Sequence, residues 1–262
     1  LHTKLEHGNY RSGKDTAVYE LDESQPGFEL FKPEYLIITN VRGDHLENYN
    51  NLDHYYDSFK RLIDNTNFVV TFEDEKKFRG NATFGVYSGD FRLVERKQEG
   101  FLQTVDVYTP WGEKKFLLPV PGYHNALNAL AVITLLSSIG YDISDVINSL
   151  YDFRLPGRRF NVSYDDPEKK LTIVDDYSHT ADEVEVLLKT AREVYSDRKV
   201  VLIFQPHRYT RLKREVEKFE KVLQIADEIY VTEVYGAFES KNGITARKIV
   251  EDIKRSIFIQ DL

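Results

Sequence analysis

The chain has 262 residues, 41% apolar and 30% charged, with a net charge of −8: the balance of a globular protein with room for one large domain or two ordinary ones. The acidic excess repels nucleic acid and anionic membrane, so an anionic ligand must be met by local arginines or by a metal. No run approaches about 18 apolar residues, no signal pattern opens the chain and there is no cysteine, which together read as a cytoplasmic protein with neither a nucleic acid nor a membrane as partner. It holds no methionine and begins at Leu1, so it reads as a fragment.

"GNYRSGKD" (8–15) nearly fits a phosphate-binding loop. However, Asp15 replaces the hydroxyl that would ligate Mg²⁺, and no apolar strand precedes the segment, so it reads as a hairpin or loop. "TAVYEL" (16–21), "YLIITN" (35–40) and "FVVTF" (68–72) are continuous apolar strands of the kind buried in parallel sheets, with a helix over about 51–64 between the last two. Residues 82–119 alternate and carry turn signals, which predicts antiparallel strands. An apolar helix follows over 123–139, ended by Gly140, and a second covers about 143–152. "RLPGRRF" (154–160) is a proline–glycine connector and the candidate boundary between domains at 1–156 and 157–262. Beyond it the pattern is strand "LTIVDD", helix 181–195, strand "KVVLIF", helix 212–226, strand "EIYVTE" and helix 244–255, a doubly wound parallel sheet.

Ligands of open α/β sheets bind beyond the carboxyl ends of the strands. Those ends carry Asp175, Asp176 and His179, then His207, Arg208 and Arg211, then Glu233, Tyr235 and Glu239. In the first half Glu20, Asp22 and Glu23 end one strand, and Asn40, Asp44 and His45 another. Carboxylate plus imidazole suits Mg²⁺ or Mn²⁺ better than a structural zinc. Asn125 and Asn128 lie three apart beside His124, placed either to pair with a purine edge or to cap their helix. Pro206 fits a turn into a helix whose first amides favour an anion, and Arg208 and Arg211 would share a face of that helix and clamp it. The plainer readings are caps and solvated loops, with these arginines paired to Glu215 or Glu217.

"YELDES", "TNVRGDH", "GYHNALNALA", "FRLPGRRF", "DDYSHTADE", "FQPHRYTR" and "TEVYGAFE" stand in the order found in Mur ligases, and the chain resembles that family from about residue 6 to about residue 250. "QPHRYTR" together with "DDY" places it nearest the branch that joins L-alanine to UDP-N-acetylmuramate. Ala181 stands where the family usually has proline, and Leu155 where glycine is common. The resemblance implies an α/β fold: the remainder of a mostly parallel-sheet ATPase domain without its phosphate loop, then a Rossmann-like, doubly wound C-terminal domain. It implies ATP and Mg²⁺ (or Mn²⁺) as cofactors, an acyl-phosphate intermediate, UDP-N-acetylmuramate and L-alanine as substrates, and a place in peptidoglycan precursor synthesis. Glu20 and His45 match metal ligands; Asn125 and Asn128 match adenine and nucleotide contacts; Asp176 matches a ribose or nucleotide contact. Arg159 matches an arginine supporting the transferred phosphoryl. Tyr177, His179, His207, Arg208 and Arg211 match positions around muramate and alanine, as do Tyr235 and Glu239, and His179 would orient or deprotonate the alanine amine. A non-catalytic nucleotide- or UDP-sugar-binding module and a murein-peptide recycling ligase are the alternative readings.

Overall fold

The computed structural model describes residues 15–24, 26–43, 46–241, 243–251, 253 and 255–260. The chain forms two compact units, one of Leu1–Lys97 with Leu102–Arg154, the other of Gln98–Phe101 with Leu155–Leu262.

In the first unit the apolar runs become β1 (Tyr35–Ile38) and β2 (Phe68–Phe72), joined through α1 (Leu52–Asp64). Asn51 starts α1 by accepting the His54 N–H at 2.8 Å. Tyr55, Ser58 and Leu62, one stripe at helical spacing, are its buried face. They pack with Phe28, Ile38, Val41 and Val69. The sheet continues through β3 (Ala82–Gly85), β4 (Phe91–Glu99), β5 (Leu102–Thr109) and β6 (Gly112–Leu118) in chain order. β1–β2, β2–β3 and β3–β4 run parallel, and β5–β6 antiparallel. The antiparallel expectation for 82–119 is therefore corrected: β3 extends the parallel part. Its four residues are all buried, so it has no polar face of the kind that alternation requires.

A second correction concerns 16–21. This segment forms no strand; Val18 and Tyr19 are 78% and 80% exposed. An apolar run becomes a strand only where a neighbour completes its ladder, and no described strand pairs with this one.

α2 (Tyr123–Ser138) buries Ala126, Ala129, Leu130 and Ile133. It ends as expected. Gly140 sits at φ 101°, its N–H bonding Ser137 O and the Tyr141 N–H bonding Leu136 O, the paired closure that needs a left-handed residue. α3 (Ile143–Ser149) follows, begun by the Asp142 carboxylate.

In the second unit β7 (Asn161–Asp166) and β8 (Leu171–Asp175) form an antiparallel pair. α4 (Ala181–Val194), β9 (Val201–Phe204), α5 (Tyr209–Val222), β10 (Glu228–Thr232), α6 (Arg247–Glu251) and β11 (Ser256–Ile259) come next. β9, β10 and β11 are parallel with β10 central. Val184, Leu188, Leu212, Phe219, Ile229, Val231 and Ile249 make the core. "LTIVDD" thus belongs to a hairpin and not to the parallel ladder. Its partner β7 is almost wholly exposed and mostly polar, so nothing in its residues announces a strand. α6 is shorter than the expected 244–255, and β11 lies beyond it.

Candidate active-site residues

In the second unit the end of β8 is tied back onto the connector that precedes β7. Asp176 Oδ2 accepts the Phe160 N–H at 2.7 Å, and its Oδ1 accepts the Ser178 N–H at 2.9 Å and the Ser178 hydroxyl. The Tyr177 N–H donates to Arg158 O at 2.9 Å. Arg158 and Phe160 take φ of 62° and 43°, a strained conformation for side-chain-bearing residues that these bonds hold in place. The Arg158 and Arg159 guanidinium carbons consequently lie 4.6 and 5.9 Å from the centre of the Tyr177 ring. Both carboxylate oxygens of Asp176, expected at a nucleotide, are engaged in this turn.

α4 begins in a capping box. Glu183 N–H donates to the Thr180 hydroxyl at 3.3 Å, while Glu183 Oε2 accepts the N–H groups of Thr180 at 3.0 Å and His179 at 2.9 Å. Burial alone would push the Glu183 carboxyl up. Donation by the His179 and Thr180 amides and the charge of His179 outweigh it and hold the group below the ordinary value. His179 Nδ1 lies 3.0 Å from Tyr177 O and 3.6 Å from Glu183 Oε2. Sequence reasoning passed over Glu183, although Thr180-x-x-Glu183 carries the signal.

Beyond β9, His207 bridges Tyr235 beyond β10: the Tyr235 N–H donates to Pro206 O and the Arg208 N–H to Tyr235 O, each at 2.8 Å. Arg208, at φ 68°, precedes the first turn of α5. Arg211 is 4% exposed and donates Nη1 to His207 Nδ1 at 3.0 Å and to His207 O at 3.3 Å. Glu239 accepts the Thr210 N–H at 3.0 Å and the Thr210 hydroxyl at 2.6 Å. One expectation changes here. The anion at the start of α5 is the protein's own Glu239, and Arg211 donates to His207. Glu215 is bonded by Arg214, at 2.6 Å, and by the Ala181 N–H, at 3.0 Å.

Tyr177, His179, His207 and Tyr235 form a row of rings with successive centroids 5.2, 5.5 and 5.6 Å apart. Burial, then the charges of Arg211, His179 and Arg208, pull the His207 imidazole below its ordinary titration, against the opposing pull of Glu239.

In the first unit Asn125 is buried and its side-chain amide donates to Pro121 O at 2.7 Å, bonding the loop before α2 without capping the helix. Asn128 is exposed on the same helix. Gln103, fully buried, fixes the turn before α2 by donating to Val120 O at 2.6 Å and Gly122 O at 3.1 Å. Its polar side chain in an alternating strand was the available signal. Glu20 is exposed on a segment with no regular secondary structure. His45, and residues 8–14 of the near-phosphate-loop, lie outside the described residues. Among the described residues no three His, Asp or Glu side chains gather as a metal site, and no helix is long and apolar enough to cross a membrane.

This fold and these strand ends define a class. Residues 3–136 match the Mur ligase middle domain and residues 158–262 the Mur ligase glutamate ligase domain. The chain belongs to the Mur ligase family. It is similar to UDP-N-acetylmuramate–L-alanine ligases: 50% identical over 257 residues to that of Thermotoga petrophila, covering 95% of this chain and 56% of the relative. To that of Lactococcus lactis subsp. cremoris it is 30% identical over 270 residues, covering 97% and 59%. The crystal structure of UDP-N-acetylmuramate-alanine ligase MurC from Thermotoga maritima superposes with a TM-score of 0.86 at 43% identity, covering 98% of this chain and 58% of that one. MurF ligase from Thermotoga maritima in complex with ADP shares the fold at a TM-score of 0.68 and 18% identity. The chain thus spans little more than half the length of the curated relatives it matches.

Proposed function

We propose that the whole protein is an ATP-dependent amide ligase joining L-alanine to the lactyl carboxylate of UDP-N-acetylmuramate in the cytoplasm, in peptidoglycan precursor synthesis. Residues 1–156 would belong to its central ATPase domain and 157–262 to its C-terminal domain. The observation that carries the reading is the row Tyr177–His179–His207–Tyr235, with Arg208 and Arg211, at the ends of the strands that match the family's C-terminal domain.

A carboxylate is a poor acyl donor, and ATP supplies the phosphoryl group that turns it into an acyl phosphate. Arg159, carried on the Asp176-tied turn, would meet phosphate oxygens with its planar fork. The alanine nitrogen, once neutral, attacks the acyl carbon. The C–N bond forms, the C–O bond to phosphate breaks, and the proton lost by nitrogen leaves with the phosphate. Arg208 and His207 supply donors where oxygen charge develops. Asn128, exposed on α2, would meet the base edge and Asn125 would hold the turn beside it. Glu20 and His45 are the Mg²⁺ pair that the resemblance implies; the described residues alone make no donor set for the ion.

The test is ADP release by the whole protein. It should require UDP-N-acetylmuramate and L-alanine together. Release supported by a murein tripeptide in place of alanine would identify a recycling ligase, and no release with either would leave a binding module.

A further inference from the structure

Glu215 is a buried carboxylate that the ligase reading leaves without a task. It stands on the inward stripe of α5 with Arg211, Leu212 and Phe219, and is 8% exposed. A leucine there would pack without the cost of taking a charge out of water, so stability alone does not account for a carboxylate at this position. Its two oxygens are used separately. Oε1 accepts Arg214 Nη2 at 2.6 Å and Nε at 3.2 Å, and Oε2 accepts the Ala181 N–H at 3.0 Å. Ala181 is the first residue of α4, fully buried, at the position where proline is usual in the family. The first amides of a helix have no acceptor inside it, and a proline has no N–H to offer. The donor that Glu215 takes therefore exists because this chain has alanine there.

The bond joins the two helices that hold the histidines of the ring row. α4 holds His179 through Glu183 Oε2, which accepts the His179 N–H at 2.9 Å. α5 holds His207 through Arg211, which donates Nη1 to His207 O at 3.3 Å. Arg211 and Glu215 lie four apart on the buried stripe of α5, one helical turn from each other. A continuous path thus runs from His179 through the first turn of α4 to Ala181, Glu215, Arg211 and His207, and the two ring centroids it spans are 5.5 Å apart.

We propose that Ala181 and Glu215 are a coupled positioning pair: the Glu215 carboxylate fastens the first turn of α4 to α5 and so sets the separation of the strand ends that carry His179 and His207. Its part in turnover rests on the ligase reading; the bond itself does not. Glu215 acts through the helix start alone, where the helix dipole favours a negative charge, with Arg214 as its counter-ion.

A double-mutant cycle tests the pair. Proline suits the first position of a helix, so Ala181→Pro is harmless on its own account. In this protein it should nevertheless lower the urea midpoint, because it removes the donor and sets a ring carbon against Glu215 Oε2. In the Glu215→Ala background the same substitution should leave the midpoint unchanged or raise it. Equal shifts in the two backgrounds overturn the coupling. Hydrogen exchange reads the bond without substrate: the Ala181 amide should exchange about tenfold faster or more in Glu215→Ala, and an unaltered rate denies the bond. Both measurements are decided whether or not the whole protein is a ligase. In the whole protein Glu215→Ala should lower kcat about tenfold with the KM for ATP within about twofold. Glu215→Gln, whose amide oxygen still accepts the Ala181 N–H, should restore most of that loss. A Glu215→Ala variant that loses stability and keeps its kcat would make Glu215 a brace with no part in positioning, and equal losses of kcat in Glu215→Gln and Glu215→Ala would overturn the proposal as well.

Discussion

Arg159 is exposed, carried on a turn whose two left-handed residues are fixed by Asp176 and by Arg158 O. Its own side chain does little for the fold, which separates function from stability. Arg159→Lys keeps the charge and loses the fork. A large loss of kcat is expected with an unchanged melting temperature; a fall in melting temperature with kcat intact would make it a structural arginine. Asp176→Ala should behave in the opposite way. It removes the acceptor for the Phe160 and Ser178 amides, and about 1–3 kcal/mol of stability should go with them, read by urea denaturation. Stability that holds while ATP affinity falls would return Asp176 to the nucleotide. The residue types at these strand ends were legible, because His, Arg and Asp have no reason to follow a buried strand. Their partners were not. The contact of Arg211 with His207 spans four residues but begins before α5, where Arg208 takes φ 68°.

At the scale of elements, two devices hold α4 and can be tested separately. The capping box fixes its start, so Thr180→Ala should cost about 1 kcal/mol in denaturant titration and loosen Glu183 beside His179. Near its end, Arg192 pairs with Asp227 at 2.7 Å, and Asp227 also accepts the Val200 N–H at 2.8 Å just before β9. The Arg192 hydrogen bond, then the Val200 amide, hold the Asp227 carboxyl down at about 2. The folded value lies below the unfolded one, so this stabilisation is complete above about pH 4 and is lost as pH falls towards about 2. The pair is more than one-third exposed, so its contribution is about 1 kcal/mol after screening. Asp227→Asn should flatten the stability curve across that window alone, and an unaltered curve would deny the pair its role. Strands β2 and β10 were readable because burial on a parallel sheet leaves a largely apolar run; β1 and β9 are apolar runs too, although β9 exposes Val201 and Ile203. β7 was not, since an exposed polar hairpin has no such pattern, and residues 16–21 show the reverse case, an apolar run with no ladder to join.

At the scale of the molecule, the family and the mixed α/β fold could be read from ordered motifs because those motifs sit at strand ends and helix starts. Motif order says nothing, however, about which charges a helix start receives. Glu239 occupies the first turn of α5, so a substrate anion has to be met by side chains and not by those amides. Arg208 is one of the cations at this strand end, and its loss should weigh on the UDP-N-acetylmuramate substrate. On the proposed function, the cluster around His207 binds the muramate and amino-acid end of a ligase site. Steady-state kinetics of Arg208→Ala in the whole protein test it most directly. The KM for UDP-N-acetylmuramate should rise about ten- to a hundredfold, as for a lost charge-assisted contact, while the KM for ATP stays within about twofold. A rise confined to the KM for ATP would contradict the account and give the cluster to the nucleotide.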